Sequence, residues 1–145
     1  MMTAFAPLTE LLDAPQIETL RAAVDRILPA DDAPSGWEAG LGDFFALLLA
    51  RESRFLLPTR SGLDALDAEA RAAGGASFAA LTPDAQDALL SRVEAGEVRA
   101  EWPFDAADFF HRLVSQAMEG FYADPGNGGN KDGAGWKMVG YRVTA

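Results

Sequence analysis

His111 is the single histidine of this 145-residue chain. It is the only side chain whose unperturbed titration falls near neutral pH, and so the first candidate for a general base. Asp108 lies three residues before it and Asp105 three before that. On a helix, residues three or four apart are neighbours, so the three share roughly one face. A di-iron helical bundle needs two Glu-x-x-His motifs on separate helices and two further glutamates. Here there is one Asp-x-x-His and no second histidine. A zinc site would lack nitrogen and sulfur ligands. No serine sits in a nucleophile-elbow sequence, so His111 has no nucleophile to activate. These residue types read as a surface or interface histidine near a helix cap. The competing chemistry is a metal protein using His111 and Asp108.

Two further segments carry polar groups in suggestive order. Asp31-Asp32 follows Pro29-Ala30; adjacent acids attract cations or basic partners, but here they read first as a solvated turn before the next helix. The loop from Asp124 to Gly133 looks like two known motifs and meets neither. As a calcium loop it has the wrong Asp/Asn spacing and no bidentate glutamate. As a phosphate loop it follows a predicted helix rather than a strand and lacks the Gly-Lys-Ser/Thr ending. Its glycines let a backbone approach another surface closely, and Phe121, Tyr122, Trp136 and Tyr141 flank it as aromatic anchors of the kind that dominate interfaces. The segment either lies on a partner or folds back on its own helices, and both readings stand.

Composition narrows the function classes. The 22 acidic and 12 basic residues leave a net charge of -10. A nucleic-acid binder needs a basic face to neutralise phosphates, and an anionic membrane surface would repel this chain. No cysteine is present, which removes disulfides, thiolate zinc sites, iron–sulfur clusters and covalent haem. The longest apolar run, Phe44–Ala50, is far short of the roughly 20 residues of a transmembrane helix, so no direct membrane insertion is expected. The first basic residue is Arg21, and the N-terminus shows no positive stretch of a secretory signal. The expected location is the cytoplasm, or the periplasm by export with a signal-bearing partner.

The elements that would position these residues are helices. Asp13-Ala14-Pro15-Gln16 has capping-box spacing with proline in the first turn, and Ile17, Leu20, Val24, Ile27 and Leu28 then recur as one apolar stripe. A second helix is predicted from Ser35-Gly36-Trp37-Glu38, with Leu41, Phe44, Phe45, Leu48 and Leu49 on its apolar face. It should end near Phe55, because Pro58 disfavours helix just before it. The alanine-rich stretch Ser61–Ala73 reads as a further helix closed by Gly74-Gly75. Thr82-Pro83-Asp84 starts another, with Leu89, Leu90 and Val93, ending near Gly96. The last runs from about Asp105 to Tyr122, with Phe109, Phe110, Leu113, Val114, Ala117 and Phe121 at helical spacing. Period-two alternation is missing. The expectation is one all-α domain over residues 1–145: a bundle of four to five helices across 13–122, then an irregular Gly/aromatic-rich tail across 123–145.

Two stretches of this sequence resemble the gluconate 2-dehydrogenase subunit 3 family. The first runs Ile27-Leu28-Pro29-Ala30-Asp31-Asp32, then Gly36-Trp37-Glu38-Ala39-Gly40-Leu41 and Phe44-Phe45. The second runs Glu119-Gly120-Phe121-Tyr122-Ala123-Asp124-Pro125, then Gly128-Gly129-Asn130, Gly135-Trp136-Lys137 and Gly140-Tyr141. Between them, Phe78, Leu81, Gln86, Leu89 and Leu90 also fit the family pattern. The resemblance implies a helical small subunit that supports a large FAD-containing subunit of the glucose–methanol–choline type, often joined by a cytochrome subunit. It implies that flavin and catalytic base sit on the other chain, which oxidises a sugar or polyol hydroxyl, and that this chain holds no cofactor. Partner contact is expected at Phe121, Tyr122, Gly128, Gly129, Asn130, Trp136 and Tyr141. A free-standing helical binding protein is the alternative of a different class.

Overall fold

The computed structural model describes residues 7–30 and 34–122. They form six α-helices: α1 (Leu8–Leu11), α2 (Ala14–Ile27), α3 (Gly42–Arg51), α4 (Leu56–Ala72), α5 (Pro83–Glu94) and α6 (Ala106–Phe121). No strand occurs among the described residues. The all-α expectation holds, with the single-turn α1 as an element that no capping residue announced.

Local chemistry explains three of the six helix starts. Asp13 and Gln16 form a reciprocal capping box at α2, with Asp13 Oδ1 accepting from the Gln16 amide at 2.8 Å and Gln16 Oε1 accepting from the Asp13 amide at 3.0 Å. Thr82 caps α5 through the Ala85 amide at 3.2 Å, and Asp105 caps α6 through the Asp108 amide at 2.9 Å. Each supplies a side-chain acceptor to an amide that has no partner within its helix. Gly74 and Gly75 end α4, and Gly96 ends α5, by bonding back to carbonyls of the last turn.

Two boundaries differ from the sequence reading. The helix expected from Ser35 begins as a wide turn over Trp37–Leu41, broken at Gly40 with φ 104°, before α3 proper. It ends at Arg51 rather than near Phe55, and a 3-10 turn at Ser53–Phe55 leads directly into α4. α4 therefore starts at Leu56 rather than Ser61, with Pro58 as its third residue. A proline there loses no hydrogen bond, because amides in the first turn have no intrahelical acceptor. It marks the beginning of one helix rather than the end of another.

α2 packs on α4, α5 and α6, and α5 packs on α6. Their facing stripes bury Leu20, Val24, Leu63, Leu66, Leu89, Val93, Leu113 and Ala117 with Phe45 and Phe78 into one core. Each fully buried aliphatic or aromatic side chain is worth roughly 1.5–3 kcal/mol over exposure. At the seam between α4 and α6, Gly62 takes the ring of Phe109 against its backbone. The 95–105 connection folds Trp102 and Phe104 onto the same ring, with centroids 5.8 and 5.9 Å away.

Candidate partner-binding surface

α6 carries Asp108, His111 and Phe121, and its two faces separate them. Ala106, Phe109, Leu113, Gln116, Ala117, Gly120 and Phe121 point into the core. Gly120 allows this, since a methyl there would lie 2.5 Å from the Phe44 ring and 2.9 Å from Leu41. Phe121 is completely buried, so the ring expected at a partner contact belongs to this chain's own core. The apolar spacing of α6 had already placed it on that stripe. Tyr122 differs: it stacks edge-on against Phe121 at 5.2 Å but stays 36% exposed. Met118, one turn earlier on the same face, is also 36% exposed. Together they make a small apolar surface at the end of α6, just before the glycine–aromatic segment. Gly128, Gly129, Asn130, Trp136 and Tyr141 lie outside the described residues, as do Asp31 and Asp32.

His111 sits on the solvent face of α6. Its Nε2 is 3.6 Å from Glu94 Oε2 on α5, and both side chains are more than half exposed. Asp108 and Asp105 meet through the helix cap, where the Asp105 carboxylate accepts from the Asp108 amide. The structure thus pairs His111 across to a neighbouring helix rather than with the two aspartates. Among the described residues no group of three His, Asp or Glu side chains is placed to hold a metal ion.

A buried carboxylate was not anticipated. Glu69, on α4, is 1% exposed. Its Oε1 accepts from the Ala100 amide at 2.8 Å, the Arg99 amide at 3.0 Å and the Trp102 indole at 3.0 Å, and its Oε2 takes a further contact from the Arg99 amide at 3.1 Å. Burial alone would raise this carboxyl. The Trp102 and Ala100 bonds, then Arg99 and the nearby Arg92 charge, outweigh it and hold the group below its ordinary range. Glu69 thereby ties the connection before α6 to α4. One sign of it stood in the sequence: an acid inside the apolar stripe of Leu63, Leu66 and Ala70. Other acids act similarly. Asp67 accepts from Thr19 Oγ1 and the Phe78 amide, each at 2.9 Å, and Asp25 accepts from the Trp37 amide at 3.0 Å.

Among the described residues no helix is long and apolar enough to cross a membrane. Compared with known protein families, residues 14–142 match the one described as gluconate 2-dehydrogenase subunit 3. No curated protein and no solved structure gives a significant match. The matched span takes in every helix from α2 to α6 and both sequence stretches that carry the resemblance, so the chain belongs to the gluconate 2-dehydrogenase subunit 3 family.

Proposed function

We propose that this chain is a non-catalytic small subunit that binds and stabilises a large FAD-dependent dehydrogenase subunit of the glucose–methanol–choline type. That partner oxidises a sugar or polyol hydroxyl and holds the flavin and the catalytic base; a cytochrome subunit completes the complex in the same scheme. The reading is carried by the family match over residues 14–142, whose description is that of a dehydrogenase subunit. It is supported by the exposed pair Met118 and Tyr122, which leads into a segment rich in glycine and aromatic residues. The sequence also has no glycine-rich strand–turn–helix fingerprint for a dinucleotide.

Co-expression tests the reading directly. The chain and the glucose–methanol–choline-type flavoprotein from the same genome should co-elute in gel filtration, with flavin absorbance in the shared peak. The flavoprotein should lose activity faster on warming when expressed without this chain. Flavin absorbance that stays with this chain alone, or separate elution of the two proteins, would count against it.

A further inference from the structure

The molecule is strongly acidic overall, yet one corner is both basic and apolar. Residues 52–60, from the turn after α3 into the start of α4, hold Arg54, Arg60 and one glutamate. Leu57, in the first turn of α4, is 68% exposed, more than any other large hydrophobic side chain among the described residues. Beside it in the chain, Phe55 carries two guanidiniums over its ring, Arg54 at 4.7 Å and Arg112 of α6 at 5.5 Å. Arg112 also lies over Phe109 at 5.4 Å.

Arg112 is the unusual member. Its Nε is buried without a hydrogen-bond partner, and among the described residues it forms no ion pair. Burial disfavours its charge, and no carboxylate among those residues offsets that. Arg54 has only a long contact to Glu52, 3.4 Å between two well-exposed side chains, which holds it weakly. α4 also begins here without a side-chain cap, so the positive end of its dipole adds to the same potential. Of the chain's 22 acids, only Glu52 falls within residues 52–60. What complements the corner is a carboxylate beside an apolar side chain, supplied from outside. A guanidinium is planar, and its fork of N–H donors suits a carboxylate. A second copy fits poorly, because a two-fold contact would set the arginines against themselves.

The geometry points to this corner as a docking point for the large flavoprotein subunit, which places a carboxylate on Arg54 and Arg112 and an apolar side chain on Leu57. The inference rests on the accessory-subunit reading and adds where the partner lands. α6 links the two contacts: Arg112 precedes Met118 and Tyr122 by six and ten residues, roughly 9 and 15 Å along the helix axis at about 1.5 Å per residue.

The test compares Leu57→Asp, Arg54→Glu and Arg112→Glu with the wild-type chain and with Arg71→Glu, an exposed arginine near the far end of α4. Affinity for the co-expressed flavoprotein and thermal melting of the free chain are both measured. Leu57→Asp and Arg54→Glu alter exposed side chains, so they keep the test valid should Arg112→Glu disturb folding. Leu57→Asp and Arg54→Glu should each weaken binding at least tenfold, with melting unchanged, while Arg71→Glu stays within about twofold. If the wild type binds and these two variants bind equally well, the docking corner is overturned and the accessory-subunit reading survives. If the wild type does not bind, both fall. If the variants melt early but bind at full strength, this chain's own residues cover the corner, which also overturns the proposal.

Discussion

Glu69 shows how a single acid can decide the conformation of a connection. Three donors from residues 99–102 converge on a carboxylate that is out of water. A charged acceptor makes such bonds worth more than neutral ones, and losing it leaves buried donors unpaired. Glu69→Gln keeps the shape but turns one acceptor into a donor facing other donors. It should lower stability by about 1.5–3 kcal/mol, the usual range for a hydrogen bond to a charged group. The pH dependence has a definite sign. The folded carboxyl titrates below its ordinary value of 4.5, so its contribution is complete above that pH and is lost as pH falls through the lower folded value. Urea unfolding at pH 7 and at pH 3 would straddle the isoelectric point near 4.4, where a chain without net charge tends to precipitate. The gap between wild type and Glu69→Gln should be wider at pH 7 than at pH 3. An equal gap at both would mean that the ionised form is not what stabilises the connection.

At the scale of helices, much of the fold was legible because it is written locally. The Asp13–Gln16 box, the Thr82 and Asp105 caps and the apolar stripes of α2, α5 and α6 are short-range patterns, and the structure contains each of them. What stayed hidden depends on tertiary context. Pro58 has the same sequence appearance whether it ends a helix or sits in a first turn. Phe121 follows the apolar register of α6, and that register buries it in this chain's core. Glu69 needed a partner loop 30 residues away, which no window on α4 contains. Gly62 is a similar case. In an isolated helix Gly→Ala gains about 1 kcal/mol. Here a Cβ would lie 2.1 Å from the Phe109 ring, and that ring is hemmed in by Trp102, Phe104 and Arg112. Gly62→Ala should therefore destabilise by about 1–3 kcal/mol, the usual cost of overpacking a closed core. Chemical denaturation reads the sign directly, and a stabilised variant would show that α4 and α6 can separate freely at this point.

At the scale of the whole molecule, the question is which apolar surface the helices leave over. The described residues bury a continuous core and expose only Leu57, Met118 and Tyr122 among their large hydrophobic side chains. After Tyr122 the sequence adds Trp136, Met138, Val139 and Tyr141 among glycines at 126, 128, 129 and 133. Keeping such side chains in water forgoes roughly 1.5–3 kcal/mol each, and aromatic anchors commonly dominate interfaces. Two of the three exposed side chains, Met118 and Tyr122, lie at the C-terminal end of α6, immediately before that segment in the chain. Trp136→Ala should weaken co-purification with the flavoprotein by at least about tenfold in affinity, equivalent to 1.4 kcal/mol, and should cost the free chain less. The measurement pairs a pull-down with thermal melting of the chain alone. A mutant that melts much earlier yet binds its partner at wild-type strength would make Trp136 a core residue of this chain. The interface would then be confined to α6 and the Leu57 corner.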